Sequence, residues 1–371
     1  MALLSAMTQG GLVLGQPSDN QSISVFKGIP FAKPPVGSLR WRAPQKPDPW
    51  NKPYEAFTFG PIPYQYRVPA SSVTQREFYP VSWPRSEDCL YLNVWTPAER
   101  PEEKLPVAIW IYGGGFSRGY SNKQETCGDS FSRRGCVYVD FNYRLGAFGF
   151  LAHPELREES PHQTSGNYGL LDQIMALQWV KDNIAAFGGD PERITVFGQS
   201  AGAMSTMNLM VSPLSRGNFQ QAIMQSGGGL HPLQYVDQYN REKVEQRGAE
   251  FLSICGVEHI AQARKLSTEE IFEKSQQFSK DCPGMAFGPY VDGYILPEDP
   301  AEMIRKGNCP DIRCMIGHNR DVGVLGGAHH NALLLVQHQV AALIADNFGL
   351  DVSAAGVAGG IHVGDEAQGR R

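Results

Sequence analysis

The run Ile194-Thr195-Val196-Phe197 is apolar and β-branched, and it passes into Gly198-Gln199-Ser200-Ala201-Gly202 before a helix-compatible stretch at residues 203–210. A strand that turns into a helix within five residues, two of them glycine, leaves room only for a tight and strained turn. That turn pushes the Ser200 hydroxyl outward, where a small molecule can reach it. It also places this segment in a strand–helix alternation rather than in an all-β or all-α chain.

The rest of the sequence agrees. Strands are expected at 90–94, 107–111, 136–141, 222–224 and 314–317, with a helix at 168–186. In that helix Leu171, Met175, Leu177, Trp179, Val180 and Ile184 recur at about helical spacing, and Gly188-Gly189-Asp190-Pro191 stops it. The implied fold class is α/β, a central mostly parallel sheet with helices on both faces. Residues 28–44, dense in proline and aromatic side chains, fit a hairpin and loops over an edge of that sheet. Residues 60–86 read as a long irregular loop, 240–280 as charged and helix-friendly without legible chemistry, and 289–294 as a turn near the site.

Composition narrows the function. The formal net charge is −5 and the pI about 6.0, with no basic block, so nucleic-acid binding is not expected. The N-terminus lacks the basic region of a signal peptide, and the longest apolar run, around 332–345, is broken by Gln337, His338 and Gln339. No membrane span is expected, and a cytoplasmic location is. The seven cysteines are odd in number and lack tight paired spacing, so a metal site is not expected, and nothing in the sequence implies an organic cofactor.

Acyl transfer from an ester needs an exposed nucleophile, a base, and donors for the developing oxyanion. Ser200 is the candidate nucleophile. Tyr112-Gly113-Gly114-Gly115-Phe116 follows a strand, and its glycines allow backbone N–H groups to face a carbonyl oxygen without obstruction. Gly114, Gly115 and the N–H of Ala201 are the candidate oxyanion hole.

Over about residues 11–323 the chain resembles the type-B carboxylesterase/lipase family, which includes the cholinesterases. The stretch from Phe187-Gly188-Gly189-Asp190-Pro191 through Gly198-Gln199-Ser200-Ala201-Gly202 matches the family's elbow signature. Glu87-Asp88-Cys89-Leu90-Tyr91-Leu92-Asn93-Val94-Trp95-Thr96-Pro97 matches its second signature, and Asn142-Tyr143-Arg144-Leu145-Gly146 agrees as well. The resemblance implies an α/β-hydrolase fold and a serine carboxylic ester hydrolase working through an acyl-enzyme on Ser200. Its substrate would be a small apolar or lightly polar ester. Ser226, in Gln225-Ser226-Gly227, matches a serine that supports the catalytic triad by hydrogen bonding. Gln199 stands where cholinesterases carry Glu, which weakens attraction for a cationic choline group.

The chain departs from the family in three places. No cysteine precedes Cys89, so the family's disulfide to that position cannot form, in keeping with a reducing compartment. The acid position is Val322, with Asp321 beside it as the candidate replacement. The catalytic histidine belongs far beyond the acid; the candidate is His362, in Gly359-Gly360-Ile361-His362-Val363-Gly364. The expected organisation is an incomplete hydrolase domain at 1–330 and a divergent helix with a Gly/Ala-rich tail at 331–371, the C-terminal part of the fold being missing or altered. The alternative expectation is a catalytically impaired or inactive carboxylesterase-like binding protein.

Overall fold

The structure, a computed structural model, describes residues 2–67, 83–123, 128–227, 236–282, 285–309 and 311–318. Asp321, Val322, His362 and the segment 331–371 lie outside the described residues.

The chain opens with the hairpin β1 (Ser5–Thr8) and β2 (Gly11–Leu14), then enters the main sheet through β3 (Gln16–Pro17) and β4 (Ser24–Pro30). β5 (Tyr54–Glu55) pairs with β2, and β6 (Ile62–Pro63) pairs with β7 (Arg85–Ser86), so the stretch expected to be irregular holds two short strands. The main sheet adds β8 (Tyr91–Thr96), β9 (Leu105–Ile111), β10 (Val137–Phe141), β11 (Gly189–Gln199), β12 (Gln221–Gln225) and β13 (Arg313–Gly317). Its order among the described residues is β13-β12-β11-β9-β10-β8-β4-β3. The five strands from β13 to β10 run parallel, and β8, β4 and β3 continue antiparallel.

The helices are α1 (Gly128–Ser132), α2 (Gly146–Phe150), α3 (Pro154–Glu159), α4 (Tyr168–Asn183), α5 (Ala201–Val211), α6 (Arg241–Ile254), α7 (Ile260–Ala263), α8 (Thr268–Asp281) and α9 (Pro300–Arg305). α4 stops short of the expected end because Ile184–Phe187 tightens into a 3₁₀ turn, closed by Gly188 at φ 79°. The glycine-proline stretch after it does not only stop a helix. Gly189 already pairs with Leu105 in β11, a bulge follows across Pro191, and pairing resumes at Ile194 opposite Val107.

Every residue of β10 is buried, and its side chains divide between two cores. Val137, Val139 and Phe141 join the larger core, which includes Ala201, Ala203 and Met207 of α5. Tyr138 points to the other face, where Phe131 of α1 stacks on it at 4.9 Å and meets Phe197 at 5.3 Å. The period-2 alternation thus covers both faces of the parallel strands, as a sheet with both faces out of water requires. Cys89 is a buried free thiol, and Cys255 is a free thiol as well.

Among the described residues, the buried Asp140 carboxyl is held by neutral donors rather than by a cation. Asp140 of β10 accepts a hydrogen bond from Asn93 Nδ2 at 2.7 Å, and Asn93 Oδ1 accepts from the Gly28 N–H at 2.8 Å. Burial pushes the Asp140 carboxyl well above the ordinary range, and the bonds from Asn93 and Ser121 only partly oppose this. In the unfolded chain an aspartate ionises near pH 3.9. Folding therefore takes up a proton between the unfolded and folded values, and this residue's contribution to stability falls as pH rises from about 4 towards the folded-state value. Asp140→Asn has no such proton to take up. Urea denaturation at pH 5 and pH 8 is expected to show the variant gaining on the wild type by up to about 1.4 kcal/mol per pH unit. A stability difference independent of pH would mean that Asp140 is ionised in the fold.

Candidate active site

Ser200 sits between β11 and α5 at φ 56°, ψ −122°, a conformation that costs a non-glycine residue strain. Two backbone bonds hold it there. Its N–H donates to Gln225 O at 2.9 Å, and its carbonyl accepts from the Met204 N–H at 3.0 Å, the first bond of α5. The turn is tight because the backbones touch. A Cβ on Gly202 would fall far inside van der Waals contact with Ile111 O, at the end of β9. Ala201, buried at the first position of α5, carries one of the N–H groups that have no acceptor within the helix.

The glycine loop leaves β9 directly opposite. A Cβ on Gly113 would lie 3.1 Å from Ser200 Cβ, so this loop and the turn are in contact. The Gly114 carbonyl accepts from the N–H groups of Arg118 at 3.2 Å and Ser117 at 3.3 Å, within the loop. A trans peptide sets its N–H opposite its carbonyl. The Gly115 N–H therefore points away from the loop interior.

Two anchors fix this loop. At its start, Tyr112 stacks on Tyr143 with ring centroids 4.5 Å apart. The Tyr112 hydroxyl donates to Tyr143 O at 3.1 Å, and the Tyr143 hydroxyl donates to Tyr112 O at 3.0 Å. Burial raises both phenols above their ordinary range, which keeps both hydroxyls donors. At its end, the buried Gln65 side chain donates to Gly119 O at 2.8 Å and accepts from the Gly119 N–H at 2.7 Å. Neither anchor is legible in the sequence, because Tyr143 and Gln65 gain their roles only from residues far away in the chain.

Ser226 follows β12 at φ 50°, and its N–H donates to Gly317 O at 2.8 Å. Gln199, exposed, ends β11. His318, half-buried, follows the last residue of β13. Ser200, Gly114, Gly115, Ala201, Ser226 and Gln199 therefore gather at the carboxyl ends of parallel strands, where open α/β sheets take their ligands. Asp321 and His362 fall outside the described residues. The turn at 289–294 is anchored elsewhere. Tyr290 bonds Ser165 and Asn167, while the Asp292 carboxylate accepts from Thr164 and from the N–H groups of Tyr294, Ile295 and Leu296.

A cavity of about 260 Å³ opens beside Gly115, walled by Tyr64, Phe148, Phe272, Met285, Ala286 and Phe287. Tyr64 meets Phe272 edge-on at 5.3 Å and Phe148 at 6.2 Å. Arg85 covers the Tyr64 ring at 4.5 Å. Among the described residues no group of three or more His, Cys, Asp or Glu is placed to hold a metal ion, and no helix is long and apolar enough to cross a membrane.

Residues 4–338 match the family model described as the Carboxylesterase family. The chain is 42% identical over 318 residues to a fumonisin B1 esterase of Sphingopyxis macrogoltabida, covering 85% of this chain and 56% of that protein. It is 37% identical over 325 residues to the para-nitrobenzyl esterase of Bacillus subtilis (strain 168), covering 86% and 63%. It is 36% identical over 336 residues to the acetylcholinesterase of Electrophorus electricus, covering 86% and 51%. Among solved structures, a PNB esterase superposes with a TM-score of 0.77 at 36% identity, over 86% of this chain and 64% of its own. A Geobacillus stearothermophilus carboxylesterase superposes with a TM-score of 0.75 at 34% identity, over 94% and 67%. The chain thus spans between half and two thirds of the length of the curated relatives it matches. With the strained serine turn, the facing glycine loop and a family match over most of its length, the chain belongs to the carboxylesterase family.

Proposed function

We propose that this chain hydrolyses carboxylic esters through an acyl-enzyme on Ser200. The observation that carries the reading is the strained Ser200 turn in contact with the Gly113–Gly115 loop, 3.1 Å from where a Gly113 Cβ would stand. Ser200 Oγ attacks the ester carbonyl, and the N–H groups of Gly114, Gly115 and Ala201 receive the negative charge that develops on its oxygen. Each well-aimed donor lowers the barrier by roughly 3–4 kcal/mol, because it is held in place before the charge appears. The start of α5 adds its positive dipole end at the same spot.

The relatives named as esterases support the reaction class. The aromatic cavity beside Gly115 supports an apolar or lightly polar group on the substrate, and the neutral Gln199 amide gives no attraction to a cationic one. Ser226, on the strand end next to Ser200, steadies the site from behind.

The first test is stopped-flow release of p-nitrophenol from its butyrate ester by the wild type and by Ser200→Ala. A burst or steady turnover that disappears in the variant is expected, with intact mass showing a butyryl group only on the wild type. A burst without turnover marks an impaired enzyme that acylates but does not deacylate. A wild type at the buffer rate that also resists a fluorophosphonate would leave a binding protein.

Cavity size should set chain-length preference. Ala286→Trp fills the space beside Phe287, and the ratio of kcat/KM for hexanoate over acetate p-nitrophenyl esters is expected to drop at least tenfold, about 1.4 kcal/mol. An unchanged ratio would move the acyl group out of this cavity.

A further inference from the structure

We propose that Gln65 and Arg85 are positioning residues that fix the direction of the Gly114 N–H, an inference that deepens the ester-hydrolase reading above and rests on it. The Gly113 carbonyl and the Gly114 N–H belong to one trans peptide unit, so they point to opposite sides of it. Gly119 fixes the carbonyl side. A Cβ there would lie 2.5 Å from Gly113 O and 2.5 Å from the Tyr112 ring, so the Gly119 backbone rests on that carbonyl. The Gly114 N–H is thereby set on the face away from Gly119. Gly113 itself lies against Gln199 O and Ser200 Cβ. Both flanking residues are glycines, so no side chain opposes rotation of this peptide, and its direction depends on what it touches.

One buried side chain holds Gly119 in turn. Gln65 Nε2 donates to Gly119 O at 2.8 Å, and Gln65 Oε1 accepts from the Gly119 N–H at 2.7 Å. Nε2 also donates to Pro63 O at 3.1 Å. With two carbonyls to serve on one side and an N–H on the other, the amide has a single workable orientation. A flipped amide would set oxygen against two oxygens and nitrogen against an N–H.

The segment that carries Gln65 has its own tie. No cysteine precedes Cys89, so residues 60–67 take part in no disulfide. β6 and β7 pair through Ile62 with Arg85 and Pro63 with Ser86, a ladder that ends before Gln65. Arg85 extends the hold. Its Nη1 donates to Gln65 O at 2.6 Å, and its guanidinium covers the Tyr64 ring at 4.5 Å. A planar fork can grip a backbone oxygen and lie on an aromatic face at once, which the compact ammonium of lysine does poorly. The support of the Gly114 N–H therefore runs from Arg85 through Gln65 and Gly119 to Gly113 O.

Negative charge develops on the ester oxygen only as the bond from Ser200 Oγ to the carbonyl carbon forms. A misdirected Gly114 N–H costs the transition state and leaves the bound ester as it was, so the loss falls on kcat and not on KM.

The experiment pairs p-nitrophenyl butyrate kinetics with two ketones of one shape. Ser200 Oγ adds to the carbonyl carbon of a trifluoromethyl ketone, its proton passing to the medium and the carbonyl π pair to oxygen, so that adduct carries the oxyanion. The matching methyl ketone binds without adding. Ser200→Ala is read first: turnover that survives in it, or a wild type without turnover, overturns the ester-hydrolase reading and this proposal with it. Given Ser200-dependent turnover, Gln65→Met is expected to lose at least thirtyfold in kcat and in affinity for the trifluoromethyl ketone. KM and affinity for the methyl ketone are expected to stay within about threefold. Arg85→Met is expected to lose at least fivefold in kcat, a loss that disappears in the double variant because nothing then passes from residue 65 to Gly119. Should circular dichroism show Gln65→Met unfolded, Gln65→Glu is read in its place, with at least a tenfold loss of kcat expected from the missing donor. Wild-type kcat in the Gln65 variant, equal losses with the two ketones, or losses that multiply in the double variant would each overturn the proposal while leaving the ester-hydrolase reading standing.

Discussion

At the carboxyl ends of β9 and β11, backbone meets backbone with no side chain between, and the rest of the site follows from that approach. Ile111 O occupies the space a Cβ on Gly202 would need, and Gln199 O does the same to Gly113. The ladder from Val107 opposite Ile194 to Ile111 opposite Gly198 brings these atoms together, so the register of two strands sets where α5 begins. Any residue larger than glycine at either position would push α5 off the sheet or the loop off the turn. The proposed nucleophile and oxyanion donors are thus placed by main-chain contact rather than by side-chain packing.

Behind this contact the loops are held by ion pairs out of water. Arg144 sends Nε and Nη2 to the two oxygens of Asp172 at 2.8 and 2.7 Å, its own N–H to Asp172 at 3.0 Å, and Nη1 to Arg42 O at 2.9 Å. Arg40 grips Glu87 through Nε at 2.8 Å and reaches Leu266 O at 2.8 Å, while Thr268 donates to Glu87 at 2.6 Å. Removing one member of such a pair leaves an uncompensated buried charge, at about 3–5 kcal/mol. Since Tyr143 precedes Arg144, the Arg144–Asp172 pair also fixes the tyrosine stacked on the start of the glycine loop.

The strands and the serine turn were legible because their signals are local. Alternation, β-branching and paired glycines act over five to ten residues, and the structure places each expected strand within two residues, apart from the early start of β11. The anchors were not legible, because each joins residues far apart in the chain. Tyr112 and Tyr143 are 31 positions apart, Gln65 and Gly119 54, and Arg40 and Glu87 47. The cavity shows the same limit. Residues 240–280 offered no readable chemistry, yet α8 brings Phe272 to Tyr64 from across the chain. The glutamate and cysteine of Glu87-Asp88-Cys89 likewise gain meaning only in three dimensions, as half of a buried ion pair and a thiol that burial holds protonated.

Strain completes the reasoning. Ser200 and Ser226 both take positive φ, at 56° and 50°, and each such residue costs about 1–3 kcal/mol. A domain with a net stability of 5–15 kcal/mol keeps such a cost only where its surroundings leave no alternative. Here the ladder supplies that constraint, since each serine is bonded through its N–H to the strand beside it. The two turns leave adjacent strand ends open to a ligand and start α5 with N–H groups free of internal acceptors. Donors fixed in advance return roughly 3–4 kcal/mol each to the transition state, with no reorganisation when the charge forms. On the proposed reading as an ester hydrolase the comparison is therefore favourable: a few kcal/mol of folding free energy, held in two turns, would set up a larger reduction of the barrier at Ser200.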